Sequence, residues 1–135
     1  MSFAKVYSAQ VSLLKGVIVL IEVDLSRGLH SFSIVGLPDK AVDESKDRVS
    51  SAIKNSGYKS PKAENKKIIV SLSPADLKKE GPFFDLAIAL SYLLASGDIK
   101  FNSEKKLFLG ELGLDGSLRS IKGALPLVEI AKESG

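Results

Sequence analysis

The sequence predicts an α+β fold, a mixed β-sheet with helices packed on one side, in the order βββαβαββα. Two observations carry this. β-branched runs such as GVIVLIEVDL and KKIIVSLS interleave with helical stripes, and turn residues separate them. The chain has 135 residues, the size of one ordinary domain, so residues 1–135 are read as a single unit. A domain of this size buries most of its apolar surface without disulfides or metals.

The opening AKVYSAQVSL alternates loosely, and GVIVLIEVDL follows after a turn at Lys15-Gly16. Beyond the turn SRGLH, the stretch HSFSIVGL puts Phe32, Ile34 and Leu37 on one apolar side. Three strands with short connections predict an antiparallel meander. Pro38 then opens a helix with Ala41, Val42, Val49, Ala52 and Ile53 on one stripe. Asp39, Asp43 and Glu44 lie in its early turns, where the helix dipole favours negative charge. The spacing pairs Asp43 with Lys46 and Glu44 with Arg48 on the surface, and Gly57 suits the left-handed position that ends a helix.

KKIIVSLS has Ile68, Ile69 and Val70 in succession, which predicts a central strand. KEGPFFDL, residues 79–86, then leads into a helix from Phe84 to Ala95 that is apolar on nearly every side. Such a helix belongs between layers. Pro82 at an early helical position and Asp85 in the first turn are read as the helix start and its structural cap, with Gly97-Asp98 at the far end. KLFLGELGLDGSLRSIKG predicts two short strands around a turn at Asp115-Gly116, and a last helix begins near Gly123.

Composition narrows the chemistry. With no cysteine there is no thiol nucleophile, thiolate metal site or disulfide, and the single histidine, His30, cannot build a multi-histidine site. No EF-hand spacing occurs, so no metal ligands are assigned. Threonine is absent as well, and His30 in GLHSF lies far from any nucleophile elbow. Gly110, Gly113 and Gly116 in GELGLDG fit neither a P-loop nor a dinucleotide fingerprint, so hairpin glycines are the better reading. Asp76, Glu80 and Asp85 cluster in sequence, but paired acid/base catalysis needs a partner that spacing alone does not supply.

No run approaches about 18 apolar residues. MSFAKVYSAQ also lacks the basic and apolar regions of a secretory signal, so a soluble chain without membrane contact is expected. Net charge is +3, while KNSGYKSPKAENKK alone carries five lysines and one glutamate, a local +4. A basic loop of this kind binds phosphates or simply stays solvated.

Three strings resemble a known family: EVDLSRGLHSFSIVGLPDKAVDESKDRVSSAIKNSG, VSLSPADLKKEGPFFDLAIAL and FLGELGLDGSLRSIKGALP. They resemble the N-terminal domain of the magnesium-chelatase-like AAA+ ATPases, the family of the competence protein ComM, also called the YifB family. The resemblance covers almost the whole chain. It implies a ribosomal-protein-S5-domain-2-like fold, shared with the Lon protease domain and the C-terminal domain of RadA, with a left-handed βαβ crossover. It further implies an ATPase module later in the same polypeptide. ATP and Mg would bind that module and not this chain. A cytoplasmic homo-hexameric ring acting on DNA, in branch migration and recombination during competence, is also implied. Members of this family continue through a further strand, so an open sheet edge and self-association of the fragment are expected.

The likeness to Lon allows a comparison by residue. The Lon nucleophilic serine follows a Gly-Pro pair, and here Phe83 follows Gly81-Pro82. The Lon general-base position falls on Leu125, with Lys122 three residues early. Both dyad positions are apolar, which implies a non-catalytic accessory domain contacting DNA, other subunits or the ATPase module. If it contacts DNA, Lys54, Lys59, Lys62, Lys66 and Lys67 are the first candidates, and Lys78 and Lys79 the second. Their role would be to neutralise phosphate. Two alternatives stay open: a serine hydrolase using Ser71 or Ser73 with Lys78, and an RNA-binding module like the ribosomal relative.

Overall fold

The structure is a computed structural model that describes residues 2–12, 14–119, 131, 132 and 134. Strands β1 (Ser2–Ser12) and β2 (Lys15–Arg27) form a long antiparallel hairpin in which Val6 faces Ile21. Strand β4 (Lys66–Ser73) pairs antiparallel with β2, placing Val70 opposite Val23. Strand β3 (Ser31–Val35) lies on the far side of β4 and runs parallel to it, so the sheet order is β1-β2-β4-β3.

The meander expected from the first three strands is therefore corrected. β3 does not return along β2, because β4 occupies that edge. Ile68, Val70 and Leu72 of β4 are fully buried, and the strand uses both of its edges. Placing this apolar strand centrally lets its backbone pair along both edges beneath the core. The expected central position of KKIIVSLS is what the sheet shows.

One face of the sheet is dry. Val19, Ile21, Val23 and Leu25 of β2 meet Ile68, Val70 and Leu72 of β4 there, with Val6 and Ile34 flanking. Helix α3 (Asp85–Ser96) packs on this face against β1 and β2. Its alanines, Ala87, Ala89 and Ala95, are all buried, and small side chains let a helix approach a sheet closely. The helix predicted after Pro38 is divided at Glu44 into α1 (Lys40–Asp43) and α2 (Ser45–Asn55). Asp39 begins it, its Oδ1 accepting the Val42 N–H at 2.8 Å. Val42, Val49, Ala52 and Ile53 are buried as the stripe predicted, and α2 lies against α3 and β3. Gly57, at φ +92°, follows α2 in the left-handed position expected of it.

The connection from β3 into α1 passes directly over β4. A Cβ on Gly36, whose φ is +106°, would lie 2.1 Å from the Leu72 carbonyl oxygen. Only glycine fits this crossing.

Strands β5 (Glu111–Leu112) and β6 (Leu118–Arg119) form the predicted hairpin, with Asp115 Oδ1 accepting from the Ser117 N–H and hydroxyl. The hairpin is tied to the start of α3. Gly110 N–H donates to the Phe83 carbonyl at 3.0 Å, and Leu86 N–H to the Gly110 carbonyl at 3.1 Å. The helix expected from Gly123 and the position of Leu125 lie outside the described residues. Among the described residues no helix is long and apolar enough to cross a membrane.

Candidate functional site

The loop between β4 and α3 holds Lys78, Lys79, Pro82 and Phe83 of the residues singled out by sequence, and it is built from the inside outward. Lys79 is 0 % exposed. Its Nζ donates to the Gly36 carbonyl at 2.7 Å and to the Pro74 carbonyl. Its backbone joins the β3–α1 connection, with Lys79 N–H on the Leu37 carbonyl and Asp39 N–H on the Lys79 carbonyl. Gln10 of β1 holds the residues on either side, donating to the Lys78 carbonyl and accepting the Glu80 N–H. Asp39 Oδ2 accepts the Gly81 N–H at 3.1 Å. Burial pushes the Lys79 ammonium below its ordinary range.

Lys79 is thus removed from the phosphate-binding candidates. Its charged end points into the protein and its hydrogen bonds close a loop. Lys78 is exposed, and no hydrogen bond joins it to Ser71 or Ser73 among the described residues.

Asp85 also departs from the reading by sequence. It opens α3, but the residue before it, Phe84, stands at the cap position and no side chain caps the helix. The Asp85 carboxylate turns instead toward α2 and β5. Oδ2 accepts Arg48 Nε at 2.7 Å and the Leu112 N–H at 3.1 Å. Oδ1 accepts the Ser45 hydroxyl and Arg48 Nη2, the latter at 3.1 Å. Arg48 Nη2 also donates to the Ala41 carbonyl at 2.7 Å. The bond to Asp85 holds the Arg48 guanidinium above its usual range. Arg48 therefore does not pair with Glu44 as its spacing suggested, whereas Lys46 does reach Asp43 at 3.3 Å. Pro82 lies in the turn before the helix and not at its first position, its carbonyl accepting the Asp85 N–H.

The signal for this pair was present in the sequence. Asp85 is an acid at the head of a helix that is otherwise dry, and a buried carboxylate requires a charged partner. What the sequence does not give is the partner's place, since Arg48 lies 37 positions away.

Phe83, which follows Gly81-Pro82, is half-buried, and its carbonyl is used by Gly110. Asp76 and Glu80 are exposed while Asp85 is buried, so the three carboxylates are not brought together. Among the described residues no three His, Asp or Glu side chains form a group able to hold a metal. His30 is exposed at the turn into β3. Gly110, Gly113 and Gly116 donate their N–H groups to the Phe83, Ser117 and Gly113 carbonyls, so none of these three is aimed at a phosphate.

Three of the five lysines in the basic segment 54–67 are paired, two with Glu64 of the segment itself and one with Asp47 of α2. Lys59 and Lys66 reach Glu64 at 3.1 and 2.5 Å, and Lys62 reaches Asp47 at 3.2 Å. Lys66, then Lys59, hold the Glu64 carboxyl below its usual range. Lys66 also sits 5.9 Å from the centre of the Tyr92 ring. Lys54 and Lys67 are exposed and form no salt bridge among the described residues.

The chain is an α+β domain with a mixed sheet, in which Phe83 follows Gly81-Pro82 just ahead of α3. Residues 21–135 match the family model for subunit ChlI of Mg-chelatase, and the chain belongs to this magnesium-chelatase-like family. It is 44 % identical to the competence protein ComM of Haemophilus influenzae, over 99 % of the chain and 26 % of that protein. It is 45 % identical to the uncharacterised protein YifB of Escherichia coli, over 87 % of the chain and 23 % of that protein. An uncharacterised protein of Mycobacterium tuberculosis is 42 % identical over the whole chain and 26 % of its own length. The chain spans about a quarter of the length of these curated relatives.

Proposed function

We propose that this chain is a non-catalytic accessory domain of a ComM-like AAA+ ATPase that processes DNA in the cytoplasm, in branch migration and recombination during competence. The domain would contact DNA, neighbouring subunits of a homo-hexamer, or the ATPase module of the same polypeptide, where ATP and Mg would bind. The observation that carries this reading is Phe83. It follows Gly81-Pro82 where the Lon-type nucleophile stands, and its main chain is fixed to the β5–β6 hairpin through Gly110. The similarity to ComM over 99 % of the chain supports the cellular role.

Two measurements test it. A serine-reactive phosphonate should leave the chain unlabelled, and labelling at Ser71 or Ser73 would establish the hydrolase alternative instead. DNA binding should appear at low ionic strength and weaken steeply with salt. Absence of binding at every salt concentration would remove DNA from the contacts of this domain. Tighter binding of duplex RNA than of any DNA would favour the ribosomal analogy.

A further inference from the structure

Residues 103–108 form a second basic site that the sequence did not single out. This segment is pinned to the edge of β1 at both ends. Ser103 Oγ donates to the Lys5 carbonyl at 2.8 Å, and Phe108 N–H donates to the Tyr7 carbonyl at 2.9 Å, with Leu107 bridging Tyr7 in parallel. Asn102 Oδ1, just ahead of the first pin, accepts the Glu104 N–H at 2.9 Å, and between the pins Lys105 takes a left-handed conformation at φ 57°. The segment is therefore a shaped arch and not a trailing loop.

Beside the arch lies a cavity of about 410 Å³ lined by Lys5, Tyr7, Ile18, Lys105 and Lys106 and walled on the C-terminal side by Ala131 and Ser134, with Glu104 the one acid among the described lining residues. Lys5 and Tyr7 are two apart on β1 and share the sheet face opposite the dry core. None of the three lysines forms a salt bridge among the described residues. In segment 54–67, by contrast, Lys59, Lys62 and Lys66 are held by acids, and only Lys54 and Lys67 are without one among the described residues.

We propose that this cavity receives a nucleotide of a single nucleic-acid strand, its base against Tyr7 and Ile18 and its flanking phosphates on Lys5, Lys105 and Lys106. Several features select that ligand. Cavities of about 300–1,000 Å³ suit small ligands, and this one has room for one nucleotide. A ring and an aliphatic floor beside three ammonium groups match a polymer that alternates flat bases with phosphates. An acidic peptide offers the charge but no base. A duplex offers phosphates, but its stacked bases cannot enter a cavity. This inference rests on the reading that the domain contacts DNA, and it names the strand form and the residues.

Fluorescence anisotropy with a labelled short oligothymidylate and a duplex of equal length tests it. The double substitution Lys105→Gln with Lys106→Gln should weaken oligothymidylate binding about tenfold, and lower the slope of log K against log salt by about 1.4. Tyr7→Leu should weaken the single strand and leave the duplex within twofold. Lys59→Gln with Lys62→Gln should change neither by more than twofold. Lys105 and Lys106 are exposed, so their variants keep the fold, which circular dichroism verifies. If oligothymidylate binds and the Lys105/Lys106 variant is unaffected, the site is wrong while the DNA reading stands. Equal losses on single strand and duplex with Tyr7→Leu also overturn it, as does equally tight binding of poly-glutamate. No binding of any DNA at low ionic strength overturns both readings.

Discussion

Arg48 of α2 grips Asp85 of α3 with two parallel bonds, Nε to Oδ2 at 2.7 Å and Nη2 to Oδ1 at 3.1 Å. The carboxylate is 0 % exposed, and the Ser45 hydroxyl and Leu112 N–H complete its shell. One buried charge thus joins both long helices and the β5–β6 hairpin. Removing either partner strands the other in the interior, which costs about 3–5 kcal/mol. Asp85→Ala and Arg48→Met should each lower the stability to urea by that amount. Their combination should cost less than the sum of the two, because neither charge is then left alone. Additive losses would show that the pair is not coupled.

The Gly36 crossing sets a second expectation. Alanine there needs an unfavourable φ and places its Cβ against the Leu72 carbonyl, a rigid backbone atom of the central strand. Strain and overlap together should cost about 3 kcal/mol or more. Gly57→Ala is the control, since its φ is also positive but nothing lies within 4 Å of the added Cβ. If the two variants melt at the same urea concentration, the crossing is looser than this geometry states.

The strands and helices were legible because each has a local cause: β-branched runs, a 3.6-residue stripe, or a glycine after the last turn. The order of the sheet was not. Nothing local to HSFSIVGL tells β3 to pass over β2 and pair with β4, since that choice depends on the edge left free when β4 arrives. Lys79 was misjudged for a related reason. KKEG offers Lys78 and Lys79 side by side as phosphate contacts, and Lys78 is exposed, but the acceptors that hold Lys79 inside belong to Gly36 and Pro74. The arch at 103–108 was missed because its charge becomes a site only through Lys5 and Tyr7, about a hundred positions earlier.

Phe83 gives a prediction about hydrolysis. Phe83→Ser places a hydroxyl at the position after Gly81-Pro82 but brings no base with it. The buried lysine of this loop, Lys79, spends its ammonium on two carbonyls. The variant should show no casein hydrolysis and no phosphonate labelling, checked by mass spectrometry of the intact chain. Turnover by Phe83→Ser would mean that a base does stand within reach.

Lys79 provides the pH test. Its usual value is 10.5, and burial lowers it in the folded chain. Between the folded and unfolded values, the unfolded chain holds the additional proton, so stability rises with pH across that window. Above 10.5 the contribution is fully present, and it is lost as pH falls through the folded value. Lys79→Met has no such proton to exchange, although it takes the Lys79 donor from the Gly36 and Pro74 carbonyls, of which Pro74 keeps only the Leu77 N–H, and is the less stable chain at neutral pH. As pH is raised from neutrality toward 10, the advantage of the natural chain over Lys79→Met should therefore grow. Paired urea titrations across that range measure the difference directly and cancel the tyrosines and other lysines common to both. A difference that stays flat would mean that the Lys79 ammonium is as well solvated as one in water.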